Sequence, residues 1–142
     1  MTRYKDTANS MQSYQAKVAA PFGMLGIRCT PDGLSSIEFL PADSAAQQPT
    51  DSFTRSVCAQ LAAYFKDADF AFNLPLTHNG TIHQRKVWQA MSAIPRGQTR
   101  SYGDLAAQIG SSARAVGQAC GANPIPIIIP CHRILAKTAI GG

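Results

Sequence analysis

The chain has 142 residues, 45% of them hydrophobic and 15% charged, and its formal net charge is +5 at pH 7. This composition indicates a folded protein of one domain or two very small ones. The first ten residues are polar, which excludes a secretory signal, and the apolar runs are too short for a membrane span. We therefore expect a cytoplasmic location. The four cysteines include no Cys-x-x-Cys pair and the three histidines are scattered, which argues against a disulfide framework and a metal site.

Residues 12–40 are predicted to form a β-meander. Apolar and polar residues alternate over the first strand, and the turn signals Pro21-Phe22-Gly23 and Pro31-Asp32-Gly33 separate it from strands over residues 24–30 and 34–40. The three strands therefore predict a small antiparallel sheet near the N-terminus.

A helix and a further short strand are predicted to follow this meander. Asp51 or Ser52 stands where a residue would cap the helix, and alternating apolar residues from Phe70 to Leu74 read as a strand that Pro75 ends. Residues 1–76 are therefore predicted to form an α/β domain with a sheet of three to four strands.

Three helices are predicted after residue 80. Thr81, Ser101 and Ser112 are the expected N-caps, while Ile94-Pro95-Arg96-Gly97 and Gly110 end the first two helices. The last two helices, joined by a tight turn that contains glycine, resemble a helix-turn-helix. Residues 77–142 are therefore predicted to be a mostly helical domain, and the fold class is α/β of the α+β kind.

The third of these helices has an unusual face of small residues. Ala113, Gly117 and Gly121 recur every four residues, so they share one face, although each glycine costs about 1 kcal/mol of helix propensity relative to alanine. A face without side chains allows either tight packing on a neighbouring helix or entry into a narrow DNA groove. Arg114 lies beside this face and is expected to point outward.

Positive charge is concentrated in the second half of the chain. Residues 80–142 contain seven basic side chains and one acidic one, a net charge of +6, whereas residues 1–79 carry a net charge of −1. Such an asymmetry is typical of polyanion binding, although a basic surface that merely aids solubility would give the same count.

A proline-bracketed apolar run, residues 124–130, leads to Cys131-His132-Arg133. Because proline cannot donate to a central strand ladder, the run is predicted to be a rigid buried loop or an isolated extended segment. Basic neighbours lower the pKa of a cysteine thiol and favour the nucleophilic thiolate, which makes Cys131 a candidate nucleophile. The alternative is a buried, inert cysteine.

The segment Pro130-Cys131-His132-Arg133-Ile134 resembles the Pro-Cys-His-Arg-Val active-site motif of the O6-alkylguanine-DNA alkyltransferases. The resemblance covers essentially all of residues 80–142, and the N-terminal segment matches only in its strand pattern. The further matching blocks, in the family's order and spacing, are Gly80-Thr81, Val87-Trp88, Ile94-Pro95-x-Gly97, Ser101-Tyr102-Gly103-Asp104-Leu105-Ala106, Ala113-Arg114-Ala115-Val116-Gly117 and Asn123-Pro124-x-Pro126.

The resemblance implies double-stranded DNA containing O6-alkylguanine as the partner, with the third helix in the minor groove and the damaged nucleotide flipped out. It implies that Arg114 enters the base stack, that Tyr102 and the Ile134 carbonyl contact the guanine, and that Asn123 is the hinge before the active-site turn. The implied DNA-binding residues are Ser101, Ala113, Arg114, Ala115, Gly117 and Arg133.

The resemblance also implies the chemistry. His132 acts through water as the base that makes the Cys131 thiolate, which takes the alkyl group from O6-alkylguanine, and from O4-alkylthymine as a further substrate. The product is a thioether, so the protein acts once, as a monomer and without a cofactor or metal.

The sequence departs from the family pattern in two places. Family members continue beyond the point where this chain ends, with a segment that carries the glutamate of the active-site relay, whereas the only glutamate here is Glu38. The C-terminal domain is therefore expected to be incomplete, and an impaired or non-catalytic lesion-binding protein is the alternative function. The second departure is His83, where the family often has phenylalanine.

A third class of function is a sequence-specific regulator that reads DNA with its helix-turn-helix. The small residues of the third helix disfavour it, because alanine and glycine side chains offer no hydrogen bonds to base edges.

Overall fold

The computed structural model describes residues 13–77, 79–95, 97–130 and 134–135. The chain divides into two compact units, residues 1–78 and 79–142. The mixed α/β class predicted from the sequence is confirmed. The elements in chain order are β1 (Ala16–Ala20), β2 (Gly23–Thr30), β3 (Gly33–Leu40), α1 (Ser52–Lys66), α2 (Ile82–Ser92), β4 (Arg100–Ser101), α3 (Tyr102–Ile109), α4 (Ala113–Gly121) and β5 (Ile134–Leu135).

The first unit is built on the antiparallel sheet β1-β2-β3, as the turn signals predict. Leu25, Ile27 and Leu34 have no exposed surface and form the centre of its core. A β-bulge between Arg28 and Cys29 interrupts the register of β2 with β3. The Gln15 side chain accepts a hydrogen bond from the Cys29 N–H (2.8 Å), so this backbone donor is satisfied beside the bulge.

Helix α1 begins at its expected cap and packs through one apolar stripe. The side chain of Asp51 accepts from the Thr54 N–H at 2.8 Å, and Val57 and Leu61 are buried. Among the described residues, no helix has the length and apolarity that crossing a membrane requires.

The strand predicted from Phe70 to Leu74 is wrong, because residues 70–75 are not part of any strand. The Gln60 side chain takes the backbone bonds of Asn73, and Pro75 has no N–H to donate to a ladder. Just after this segment, Leu76 forms an isolated bridge with Leu34.

The part of the second unit that the structure describes is mostly helical, and α2, α3 and α4 start at the predicted caps. Thr81 and Ser101 each form a capping box, with Gln84 and Asp104 respectively, and the Ser112 hydroxyl accepts from the Ala115 N–H. Each cap satisfies backbone donors that a helix leaves free at its first turn, so three short polar signals define the starts of α2, α3 and α4.

Trp88 of α2 holds α4 in place within this unit. The Trp88 Nε1–H donates to the Ala119 carbonyl at 2.8 Å, and the indole is 2% exposed. A β-carbon on Gly80 would lie 2.6 Å from the indole ring, so only glycine fits where the chain passes the ring. The buried hydrogen bond therefore fixes the C-terminal half of α4 relative to α2.

Candidate functional site

Helices α3 and α4 form a helix-turn-helix with a three-residue turn, Gly110-Ser111-Ser112. Gly110 has φ 71°, the left-handed conformation that glycine adopts without steric cost, and its N–H caps α3 by donating to the Ala106 carbonyl. The Ser111 N–H also donates to the Ala106 carbonyl, at 2.8 Å. Every residue of the turn is thus tied to a helix end, which gives α4 a defined start.

The small residues of α4 have different surroundings. Ala113 and Gly121 are exposed, and nothing lies within 4 Å of where a β-carbon on Gly121 would be. A β-carbon on Gly117 would instead lie 3.5 Å from Cε2 of Tyr102, the first residue of α3. Gly117 therefore packs against α3, whereas the two ends of the small-residue face are open.

Arg114 is exposed and is the second residue of α4. Ala115 is half-buried, and its N–H is engaged by the Ser112 cap. Arg85 and Lys86 of α2 are exposed as well. The one acidic residue after position 80, Asp104, accepts from the Ser101 N–H in its capping box. The described surface of the second unit is therefore positively charged.

A short parallel pairing joins the start of α3 to the chain that follows the cysteine motif. Strand β4 pairs with β5, with Arg100 opposite Ile134 and Ser101 opposite Leu135. Ser101 is 5% exposed, and its hydroxyl accepts from the Asp104 N–H at 3.0 Å. Ser101 therefore uses its hydroxyl to cap α3. This pairing has no signal in the sequence, because two-residue strands carry no periodicity.

The segment between α4 and the cysteine motif is a loop, as the first of the two expected conformations has it, but it is only partly buried. Asn123 closes it: its Nδ2 donates to the Ile129 carbonyl, and its Oδ1 accepts from the Ile125 N–H, both at 2.9 Å. The Ile129 N–H donates to the Ile125 carbonyl at 2.9 Å, and Ile127 has φ 76°, a conformation rare for β-branched residues. Ile125, Ile129 and Pro130 are buried.

Several predicted site residues lie outside the described residues. These are Cys131, His132 and Arg133, and for Ile134 only the backbone is described. Within the described ranges, no cluster of three or more histidine, cysteine or acidic side chains could hold a metal ion.

The other three cysteines have surroundings that disfavour nucleophilic reactivity. Burial raises the pKa of the Cys58 thiol to about 11 and also raises the pKa of the Cys29 thiol. Cys120 is buried, with its Sγ 3.6 Å from the Met91 Sδ. Because the thiolate is the nucleophile, a raised pKa lowers the reactive fraction of Cys29 and Cys58 at neutral pH.

The second unit of the chain matches a known protein family. Residues 83–142 match the family described as "6-O-methylguanine DNA methyltransferase, DNA binding domain". Over 129 residues the chain is 36% identical to the methylated-DNA–protein-cysteine methyltransferase of Methanosarcina acetivorans. This match covers 86% of this chain and 83% of that protein. It is 50% identical over 82 residues to the constitutive methylated-DNA–protein-cysteine methyltransferase of Bacillus subtilis, covering 56% of this chain and 50% of that protein.

Solved structures show the same relationship across both units. The Mycobacterium tuberculosis OGT solved in complex with DNA superposes with a TM-score of 0.75 at 38% identity, covering 87% of this chain and 78% of that one. The O6-methylguanine methyltransferase of the same organism gives a TM-score of 0.75 at 36% identity, with the same coverage. The chain therefore belongs to the methylated-DNA–protein-cysteine methyltransferase family.

Proposed function

We propose that this protein repairs DNA by transferring an alkyl group from O6-alkylguanine, and from O4-alkylthymine, to Cys131, once per molecule. The observation that carries the proposal is the β4–β5 pairing, which sets the chain following Cys131-His132-Arg133 beside the start of α3. Ile134 follows Cys131 by three residues, and three residues of chain span at most about 11 Å. The cysteine motif and Tyr102 are therefore within reach of one base.

Duplex DNA is the partner in this proposal, and α4 is the helix that meets it. Ala113 and Arg114 are exposed at the start of α4, and Arg85 and Lys86 add positive charge on α2. The exposed small side chains permit a close backbone approach, and basic side chains neutralise phosphates without reading sequence. Arg114 enters the base stack as the damaged nucleotide leaves it, and flipping the nucleotide costs a few kcal/mol.

Tyr102 receives the flipped base at the N-terminus of α3. Its ring packs against Gly117 and the residue is half-buried, and its hydroxyl is the group that meets the guanine in this proposal. Ser101 sets the direction of α3 through its cap, and Asn123 holds the loop that leads to Cys131. The Ile134 carbonyl accepts from the exocyclic amine of the guanine, and Arg133 contributes to the basic surface toward DNA.

The chemical step is a nucleophilic substitution at the alkyl carbon. His132 takes the thiol proton of Cys131 through a water molecule, and the thiolate attacks the alkyl carbon. The C–S bond forms, the C–O6 bond breaks, and its electron pair goes to the guanine. Tyr102 supplies a proton to guanine N3, so the base leaves neutral, and solvent returns the proton held by His132 to Tyr102.

The thioether product explains a single turnover, and the step uses neither metal nor cofactor. Each chain supplies one such cysteine, so one monomer suffices for one lesion. The relatives are named methyltransferases, which supports transfer over non-catalytic lesion binding, the alternative raised from the sequence.

The test is the mass of the protein after incubation with duplex DNA containing O6-methylguanine. One methyl mass per chain should appear, on the peptide that contains Cys131, and Cys131→Ala should abolish it. Cys58→Ala is the matched control and should leave transfer unchanged, since the Cys58 thiol is half-buried with a raised pKa. Methylation of Cys29, Cys58 or Cys120 would refute the assignment, and lesion binding without any transfer would support the alternative.

A further inference from the structure

His83 links α2 to the turn of the helix-turn-helix. Its Nε2 lies 2.7 Å from the Ser111 Oγ, a hydrogen bond in which either atom can be the donor, between residues 28 apart in sequence. Both residues are half-buried. A side chain without a polar atom at position 83 could not form this bond.

Ser111 occupies the middle of the turn that sets the start of α4. Its N–H is bound to the Ala106 carbonyl of α3, and the next residue, Ser112, is the N-cap of α4. Arg114 follows two residues later. Any displacement of Ser111 would therefore be passed to the first turn of α4 and to the position of Arg114.

The second attachment of α2 to α4 makes this link matter. Trp88 binds the carbonyl of Ala119, eight residues beyond Ser111 and close to the C-terminus of α4. Attachment to α2 near both ends of α4, added to the packing of Gly117 against Tyr102, defines the direction of the α4 axis more closely than one attachment does. Trp88 and His83 provide these two attachments from a single helix: Ser111 lies two residues before α4 begins, and Ala119 lies about 9 Å along α4 from its first residue at the α-helical rise.

We propose that His83 is a positioning residue: through Ser111 it fixes the N-terminal end of α4 and so directs Arg114 toward the base stack of the DNA. This inference rests on the proposed function, because it concerns how the lesion is extruded. It predicts that losing the link impairs repair within a duplex while the chemistry at Cys131 is retained.

The test compares transfer from duplex O6-methylguanine with transfer from the free base, which needs no extrusion. His83→Leu and Ser111→Ala should each slow duplex repair about fivefold, the effect of a net hydrogen bond of about 1 kcal/mol. The double variant should be no slower than either single one. His83→Gln, which keeps a polar group in reach of Ser111, should restore the rate to within about twofold.

The control and second measurement separate this inference from other outcomes. Gln89→Leu, at an exposed position of α2, should leave both rates unchanged. Equal losses on the duplex and the free base would show a merely structural role and overturn the proposal, as would additive losses in the double variant. Binding to a lesion-bearing duplex, measured without transfer, should also weaken in His83→Leu. If His83→Leu bound the lesion-bearing duplex as tightly as the wild type, the inference about His83 would be overturned, whether or not the wild type transfers the alkyl group. Absence of transfer by the wild type would instead refute the proposed function.

Discussion

The ring of Tyr102 packs against Gly117, so the first residue of α3 lies against the backbone of α4. A β-carbon at position 117 would lie 3.5 Å from Cε2 and 3.7 Å from Cδ2 of the ring, which is ordinary van der Waals contact. There is room for one methyl group at this position, and a longer side chain extending toward α3 would meet the ring. The small residue therefore sets where the Tyr102 hydroxyl stands.

This contact predicts opposite outcomes for two substitutions at position 117. Gly117→Ala should leave repair intact and raise the free energy of unfolding by up to about 1 kcal/mol, because alanine favours the helix. Gly117→Leu should displace the Tyr102 ring and lower the rate of transfer at least tenfold. Transfer rates and denaturant unfolding, measured on both variants, check this.

Gly121→Ala provides the control for that comparison. Nothing lies within 4 Å of a β-carbon at position 121, so this variant should gain similar helix stability without any effect on Tyr102. If Gly117→Leu kept the wild-type transfer rate, Tyr102 would not depend on Gly117 for its position. A large loss of stability in Gly117→Leu, with normal repair by the folded fraction, would show that Gly117 matters for packing alone.

Arg114→Ala should separate base extrusion from chemistry. We expect it to slow transfer from duplex O6-methylguanine far more than transfer from the free base, since only the duplex reaction must meet the cost of flipping. Lys86→Ala is the matched control, because it also removes one exposed positive charge from the same unit. Equal slowing of both substrates by Arg114→Ala would mean that Arg114 supports the fold or the base pocket instead.

The loop before Cys131 should depend on both hydrogen bonds of Asn123. Asn123→Ala removes the donor to Ile129 and the acceptor for Ile125, and should lower the free energy of unfolding by about 1–3 kcal/mol. Asn123→Asp keeps the acceptor for Ile125 but sets a carboxylate oxygen against the Ile129 carbonyl, so it should be destabilised as well. Denaturant titrations give both values, and identical stabilities of the wild type and Asn123→Ala would contradict this account of the loop.

Thiol reactivity should follow the raised pKa values in the first unit. At pH 7–8 iodoacetamide should alkylate Cys29 and Cys58 slowly in the folded protein. The rate of alkylation of Cys58 should rise as the pH approaches about 11. Because the folded protein favours the neutral Cys58 thiol, its contribution to stability is complete below about pH 9 and is lost as pH rises through about 11. Peptide mass mapping against pH checks the labelling, and Cys58→Ala should flatten the alkaline loss of stability.

The parts of the fold that sequence predicts well are those with local causes. Thr81, Ser101 and Ser112 each satisfy the first turn of the helix that follows, so a single polar residue before an apolar pattern suffices to predict the helix start. The strand predicted before Pro75 failed because a distant side chain, Gln60, takes the backbone bonds of Asn73.

The candidate site depends on contacts that the sequence does not encode locally. Tyr102 and Gly117 are 15 residues apart, and the β4–β5 pairing joins Ser101 to Leu135 across two helices and a loop. The resemblance in motifs predicts which residues contribute to the site, but only the packing of α2, α3 and α4 shows how Tyr102 is seated. The link between His83 and Ser111 likewise had no signal in the sequence beyond an unusual residue at position 83.

DNA binding should be dominated by phosphate contacts and should therefore depend steeply on salt. The logarithm of the association constant should fall linearly with the logarithm of salt concentration, with little dependence on DNA sequence, because the exposed small residues of α4 offer little to base edges. Replacing one phosphate-contacting basic residue should reduce the slope by roughly one unit, and Lys86→Ala tests this at an exposed position.

Gly117→Leu should weaken DNA binding at every salt concentration, because a bulky side chain hinders the close approach of α4 to the minor groove. It should leave the slope nearly unchanged, because it removes no charge. Titrations of a fixed duplex at four or more salt concentrations, repeated with an unrelated sequence, measure both effects. A shallow slope with strong sequence preference would instead indicate direct reading of bases and would contradict the assignment of α4 to a non-specific minor-groove contact.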